Sequence, residues 1–119
     1  MNLATRIELH LLQAGGFVPT REICEKFDIP ERNLRAKGGE PGMLDDFAVS
    51  STAAGQSGFI HHRHLPEEAF ASIAGRIRSH GIAELRKIKH WRQARHNVLT
   101  GKRPDLREVH SGQGLLFAI

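Results

Sequence analysis

The chain has 119 residues, of which 39% are hydrophobic and 25% are charged, and its net charge of +4 gives a pI near 9.8. This length allows one small domain with a modest core, and no apolar run approaches the length of a membrane span. A single cysteine excludes an internal disulfide, and an acidic residue interrupts the first apolar segment, unlike in a secretory signal. We therefore expect a cytoplasmic protein with no membrane association, whose positive charge suits a polyanionic partner.

A helical stripe runs through residues 2–14, where Leu3, Ile7 and Leu11 recur at three- and four-residue spacing. Two glycines follow at once and predict the end of this helix, because glycine readily takes the left-handed conformation of a helix C-terminus. We expect this first helix to pack across the next two and to complete a three-helix unit.

Residues 17–37 predict two short helices separated by a tight turn. Thr20 is the expected N-cap of the first of them, and Ile23, Cys24 and Phe27 form its apolar face. Because Cys24 lies on that inward face, it is predicted to be a small core residue rather than a nucleophile.

The turn itself is predicted at Asp28 and Pro30. Asp tolerates the left-handed conformation, and Pro lacks the N–H that a first helical turn leaves unused. Two helices in this arrangement form a helix-turn-helix, whose second helix reads base edges in the major groove. The alternative is a pair of surface helices in any small helical domain. The candidate base-reading residues are Arg32, Asn33, Arg35 and Lys37.

Strand spacing replaces helical spacing after the glycine-rich segment 38–42. Apolar and polar residues alternate from Phe47 to Ser51, and a second strand-like run covers residues 58–65. The small and polar segment 52–57 joins the two. A hairpin in this position predicts a wing, whose mobile tip lies along a phosphate backbone.

Histidines occupy positions 61, 62 and 64 of the second run. His62 and His64 would share one face of a strand and suggest zinc, but further ligands are missing nearby, so we expect no metal. Solvated or phosphate-contacting histidines on a wing strand are the preferred interpretation, and Arg63 suits the phosphate role. The DNA-binding candidates in this segment are His62, Arg63 and His64.

Two further helices are predicted, one from Pro66 to the His80-Gly81 stop and one from Ile82 to about Leu99. Trp91 continues the apolar stripe of the last helix, so it is expected to be a packing anchor. The other side of that helix is basic, which predicts either a phosphate-facing or acidic-partner face or a merely solvated one. Its phosphate-contacting candidates are Arg86, Lys87, Lys89 and Arg92, interleaved with His90, Arg95 and His96.

Residues 100–119 lose periodicity and gain glycine, proline and charge, which predicts a flexible tail. The tail nevertheless ends in an apolar segment. Gln113, Leu116 and Phe117 resemble the bacterial sliding-clamp-binding peptide, in which a Gln is followed three positions later by Leu and then Phe. The alternative is that this segment folds back onto the protein's own helices or meets a second subunit.

The order helix, helix-turn-helix and two-stranded wing resembles the winged helix-turn-helix family over residues 2–65. Asp28 and Ile29-Pro30 depart from the Gly and the Ser or Thr often found at the turn and cap. The resemblance implies a mainly α fold with a small β-hairpin, and double-stranded DNA as the ligand. The expected domains are a winged helix-turn-helix at 1–65, a helical pair packed on it at 66–99, and the flexible tail at 100–119.

Three functions follow from these patterns. The first is a small bacterial or phage DNA-binding protein acting in replication or mobile-element biology, with recruitment to the sliding clamp. The second is a transcriptional regulator of the same fold, with the helices from Pro66 onward forming a homodimer interface. The third is an adaptor or inhibitor that uses a winged helix without touching DNA. No catalytic constellation or cofactor motif is recognisable, so we expect neither enzymatic activity nor a cofactor.

Overall fold

The computed structural model describes residues 2–34, 41–53, 56–77 and 82–103, which form a mainly α fold with one antiparallel hairpin. The prediction of a mainly α chain with a small hairpin is therefore confirmed. Two single-turn 3₁₀ helices, the first and second 3₁₀ turns, lie among the longer elements. In chain order these are α1 (Leu3–Ala14), α2 (Thr20–Phe27), the first 3₁₀ turn (Glu31–Asn33), β1 (Ala48–Ala53), β2 (Gln56–His61), the second 3₁₀ turn (His62–His64), α3 (Glu67–Ile77) and α4 (Ile82–Leu99). None of the described helices combines the length and apolarity needed to cross a membrane.

Helix α1 begins with a side-chain cap and ends at the predicted glycine. The Asn2 side chain accepts a hydrogen bond from the Thr5 amide at 2.8 Å and so caps the first turn. At the other end Gly15 has φ of 73°, and its amide donates to the Leu11 carbonyl. Both ends of the helix are thus closed by local hydrogen bonds.

Helix α2 begins one residue earlier than expected. Thr20 is its first helical residue rather than its cap, and the cap position belongs to Pro19, whose side chain offers no hydrogen bond. At the other end Asp28 has φ of 54°, which confirms the predicted left-handed turn. The amides of Asp28 and Ile29 both donate to the Cys24 carbonyl, and this pair of bonds closes the helix.

The second helix of the expected helix-turn-helix is described only at its start. Residues Glu31–Asn33 form the first 3₁₀ turn, and Leu34 after it is buried in the core. Residues 35–40 lie outside the described part of the chain. A helix-turn-helix with a full second helix is therefore not established by the described residues.

The hairpin is shorter than predicted at its base and tighter at its tip. β1 pairs with β2 from Ala48–His61 as far as Ala53–Gln56, so the ladder extends well into the segment 52–57 that was expected to be a long loop. The prediction of a strand over 58–65 is wrong beyond His61. The His61 ring nitrogen Nδ1 accepts the Arg63 amide at 3.1 Å, and this local bond favours a 3₁₀ turn over further pairing.

A single antiparallel bridge joins β2 to the segment between α1 and α2. Val18 and Phe59 exchange both backbone hydrogen bonds, at 2.8 and 2.9 Å. Gly58 has φ of 107°, and a Cβ built there would lie 2.1 Å from the Val18 carbonyl oxygen. Only glycine allows the two backbones to approach this closely.

Alternate residues of the hairpin face two different cores. Ala48 and Phe59 lie in the N-terminal core, whereas Val49 and Ile60 lie in the C-terminal core. The other buried members of the N-terminal core are Ile7, Leu11, Val18, Ile23, Leu34, Leu44 and Phe47. Those of the C-terminal core are Leu65, Phe70, Ile73 and Trp91. The hairpin therefore separates α1 and α2 from α3 and α4.

Candidate nucleic-acid interface

Helix α4 is docked on the hairpin by its apolar stripe. Trp91 is fully buried, together with Ile88, Ala94 and Val98. The Trp91 indole Nε1 donates a 2.9 Å hydrogen bond to the Asp45 carboxylate, so its polar atom is satisfied inside the core. The prediction that Trp91 is a packing anchor is confirmed.

The loop before β1 holds α4 at two neighbouring positions. Besides binding Trp91, the Asp45 carboxylate accepts the Gly42 amide at 2.6 Å. The next residue, Asp46, lies 2.8 Å from the Nε2 atom of His90. These contacts fix the rotation of α4 about its own axis, and so decide which side chains point outward.

The outward side of α4 carries a group of cations that we call the cationic face, consisting of Arg86, Lys89 and Arg92. All three are exposed, and none has an acidic partner within the described ranges. With His90 and Gln93 they line an open groove of about 540 Å³. Because the three residues recur every third position, they span roughly 9 Å along the helix axis. Such a row can meet successive phosphates.

Two other cations of α4 point away from this face. The Lys87 Nζ lies 5.1 Å from the centre of the Trp91 ring, so its side chain covers the core rather than joining the cationic face. Arg95 is only 8% exposed. Its guanidinium donates to the Glu67 carboxylate at 2.9 Å and to the His62 carbonyl at 3.2 Å. The expectation that Arg95 belongs to the basic outer side is wrong, because it links α4 to α3.

The predicted base-reading residues are described in part. Arg32 and Asn33 are exposed in the first 3₁₀ turn, while Leu34 anchors that turn in the N-terminal core. Arg35 and Lys37 lie outside the described residues. The same holds for the predicted clamp-binding residues Gln113, Leu116 and Phe117.

His62 is not the exposed wing residue that strand spacing predicts. It is 0% exposed, and its ring packs edge-on against Phe70 with 5.8 Å between ring centres. Neither ring nitrogen has a hydrogen-bond partner among the described residues. Burial, assisted by the positive charge of Arg95, lowers the pKa of His62 to about 3, so the ring is neutral. The prediction of a solvated or phosphate-contacting His62 is wrong because the 3₁₀ turn carries its side chain into the C-terminal core.

The neighbouring candidates Arg63 and His64 bind the protein's own helices. The Arg63 guanidinium donates to the Val98 carbonyl at 3.3 Å, near the end of α4. The Nε2 atom of His64 donates to the Leu12 carbonyl at 2.8 Å. Both side chains thus connect the second 3₁₀ turn to a helix end rather than extending along a strand.

A buried ionic cluster was not predicted from the sequence. Glu8 on α1 is 3% exposed, and its carboxylate accepts two hydrogen bonds from the Arg103 guanidinium, one of them at 2.7 Å. The Nε2 atom of His61 lies 2.8 Å from the same carboxylate. The available signal was the position of Glu8 beside Ile7, within the inward stripe of α1.

The charges of this cluster are set by their surroundings. Burial by itself would raise the pKa of Glu8, but the hydrogen bonds and charges of Arg103 and His61 outweigh it, so the pKa is lowered and Glu8 is ionised. Burial, together with the positive charges of Arg103 and Arg63, lowers the pKa of His61, although the Glu8 carboxylate acts to raise it. His61 Nδ1 accepts the Arg63 amide, so the single ring proton lies on Nε2 and is donated to Glu8.

No group of three or more His, Cys, Asp or Glu side chains within the described ranges is placed to hold a metal ion. The chain matches no protein-family model, and neither the curated proteins nor the solved structures contain a match to it. Its function therefore has to be argued from the surfaces described above.

Proposed function

We propose that this protein binds double-stranded DNA, and that the cationic face of α4 supplies its contacts to the phosphate backbone. The observation that carries the proposal is the row Arg86, Lys89 and Arg92, exposed and without acidic partners among the described residues. Cations of this kind release condensed counterions when they meet phosphates, which is the main sequence-independent source of affinity for DNA. The net charge of +4 acts in the same direction.

The fixed orientation of α4 distinguishes its cationic face from a face that is merely solvated. The buried Trp91–Asp45 hydrogen bond and the His90–Asp46 contact hold α4 in one orientation. A cationic row on a fixed helix loses less conformational entropy on binding than the same charges on a loop. The described acidic groups that contact α4, Asp45, Asp46 and Glu67, are bonded to other side chains of that helix, which leaves the cationic face available to a ligand.

In this proposal, a winged helix-turn-helix recognises the base sequence of the DNA. The order of α1, α2, the first 3₁₀ turn and the hairpin supports it, as does the Val18–Phe59 bridge that ties the helices to the hairpin. Arg32 and Asn33 are exposed at the start of the segment that would enter the major groove. The residues completing the reading face are Arg35 and Lys37.

The test compares two variants that each remove three positive charges from a net charge of +4. The first changes Arg86, Lys89 and Arg92 to Gln. The control changes the exposed residues Arg6, Arg76 and Lys102, which lie on α1, on α3 and after α4, to Gln. Binding to a labelled 30-base-pair duplex is followed by fluorescence anisotropy at low salt.

We expect the first variant to bind at least about tenfold more weakly than the control, because localised phosphate contacts are lost rather than net charge alone. Equal affinities of the two variants would contradict a role for the cationic face. If the unaltered protein fails to bind duplex DNA even at low salt, the interpretation as a protein-binding adaptor is favoured instead.

A second proposal rests on the sequence Gln113-Gly114-Leu115-Leu116-Phe117, which resembles the sliding-clamp-binding peptide. Leu116 and Phe117 would enter apolar pockets of the bacterial clamp while the Gln113 amide fixes the register. A peptide covering residues 111–119 is expected to bind purified clamp with a Kd on the order of micromolar.

The matched variant of the full chain carries Gln113→Ala and Phe117→Ala. It should lose clamp binding while keeping its melting temperature and its affinity for DNA. A fall of several degrees in the melting temperature would show instead that this segment is part of the fold, and would remove the support for clamp binding.

A further inference from the structure

The cluster around Glu8 connects three parts of the molecule that are distant in sequence. Glu8 lies on α1, His61 at the end of β2, and Arg103 four residues after α4. All the bonds meet on one carboxylate, which is 3% exposed, and Arg103 closes it from the outside with a side chain that is 28% exposed. Removing any one member would leave a buried charge or a buried polar atom without its partner.

This arrangement requires His61 to be neutral. Its Nδ1 atom accepts the Arg63 amide, and a proton on Nδ1 would set two donors against each other at 3.1 Å. A second proton would also place an imidazolium beside the Arg103 guanidinium, which already neutralises Glu8. The positive charge of Arg63 also acts on the ring, Phe47 stacks on it at 6.0 Å, and the His64 ring lies 6.4 Å away.

The next residue, His62, must also be neutral, but for a different reason. It is fully buried, and within the described part of the chain neither of its ring nitrogens has a hydrogen-bond partner that would stabilise a second ring proton. The charged groups nearest to it are cationic, with Arg95 on α4 bonded to its backbone carbonyl. The ring itself packs edge-on against the apolar ring of Phe70 on α3. Glu67, the acidic residue nearby, is engaged by Arg95.

We propose that His61 and His62, together with the Glu8–Arg103 pair, form an acid-sensitive lock, closed while both imidazoles are neutral and opened when they take up protons. The lock goes beyond DNA binding and does not depend on it. Two imidazolium rings would repel the guanidinium groups of Arg95 and Arg103. Opening therefore releases Arg103 from the cluster and loosens α4, which carries Arg95.

The expected pH dependence follows from proton linkage. In the unfolded chain both histidines titrate near their ordinary pKa of about 6.5, whereas in the folded protein the pKa of His62 is lowered to about 3 and that of His61 is lowered as well. The unfolded state therefore binds more protons as the pH falls, and stability is lost from about pH 6.5 downward. With its folded-state pKa of about 3, His62 should raise the unfolding equilibrium constant roughly thirtyfold between pH 7.5 and pH 5.0, and His61 should add an effect of the same sign.

The experiment measures urea unfolding at pH 7.5 and pH 5.0, followed by the fluorescence of the single tryptophan, Trp91, which is fully buried. His62→Leu removes the two unpartnered ring nitrogens, and His61→Gln keeps a donor for Glu8 without a titrating ring. His62→Leu should reduce the acid effect on the unfolding constant by about thirtyfold, and His61→Gln should reduce it in the same direction. The control His96→Gln, at an exposed position on α4, should leave the acid effect unchanged.

Nitrogen NMR of the histidine rings in the unaltered protein provides an independent readout. The lock predicts that the His62 ring remains neutral at pH 5.5, and that His61, with its proton on Nε2, takes up a second proton only below its ordinary pKa. Titration of both rings near pH 6.5, or an acid effect on unfolding equal in His62→Leu, His61→Gln and His96→Gln, would overturn the proposal. Because the NMR measurement needs no variant, it decides the question even if His61→Gln fails to fold.

Discussion

Buried charged side chains in this protein are each held by a specific partner from another element. Glu8 is held by Arg103 and His61, and Asp45 by Trp91 and the Gly42 amide. Such groups would be costly to bury alone, so each of these contacts fixes the position of one element relative to another. His62 differs from them, since its ring nitrogens have no partners in the described ranges and its burial is tolerated only because the ring stays neutral.

A backbone contact at one glycine is equally demanding. Gly58→Ala should destabilise the protein by about 3 kcal/mol or more, because the new Cβ would overlap the Val18 carbonyl and a positive φ strains any L side chain. Gly75→Ala is the matched control. A Cβ there meets no atom within 4 Å, and alanine favours the helix, so we expect stabilisation by up to about 1 kcal/mol.

Urea unfolding of both glycine variants at neutral pH measures the two effects. Opposite signs are expected. A loss of stability at Gly58 no larger than the change at Gly75 would show that the Val18–Phe59 bridge does not require the close approach of the two backbones.

At the scale of elements, the periodicity of apolar residues predicted the helices, whose positions the local sequence determines. The apolar spacing gave α1 and α4 nearly to the residue, and Gly15 and Asp28 marked the ends of α1 and α2. Periodicity did not predict features that depend on tertiary contacts or on side-chain hydrogen bonds. Arg95 looked like an outer cation because its partner Glu67 is far away in sequence.

The base of the hairpin shows the same limit. His62 kept the alternation of a strand, but the bond from the Arg63 amide to His61 turns the chain there instead. Part of the candidate site was nevertheless predictable. Arg86, Lys89 and Arg92 followed from the helical spacing of α4, while the inward turn of Lys87 onto Trp91 depends on a ring contact that helical spacing does not specify.

The first 3₁₀ turn carries a prediction of its own. If Arg32 reads a base, Arg32→Ala should reduce the preference for a selected duplex over random duplex by about 1–3 kcal/mol. Lys89→Ala should weaken binding to both duplexes alike, because a phosphate contact carries no sequence information. The preferred duplex is first enriched from a random pool, and both variants are then titrated with it and with random DNA. Equal losses of specificity in the two variants would remove the case for a reading role of Arg32.

At the scale of the whole molecule, the hairpin is shared by two cores. Val49 and Ile60 on one face support α3 and α4, and Ala48 and Phe59 on the other support α1 and α2. This division places the first 3₁₀ turn on one core and the cationic face of α4 on the other. The Glu8–Arg103 pair ties the two halves together from α1 to the end of α4.

The salt dependence of duplex binding tests the central claim most directly. If Arg86, Lys89 and Arg92 each neutralise a phosphate, the logarithm of the association constant should fall with the logarithm of salt concentration with a slope of about −2.7 or steeper. Replacing all three by Gln should flatten that slope by about 2.7, while the control substitutions at Arg6, Arg76 and Lys102 should leave it nearly unchanged. A slope that is the same in all three proteins would contradict phosphate binding by α4.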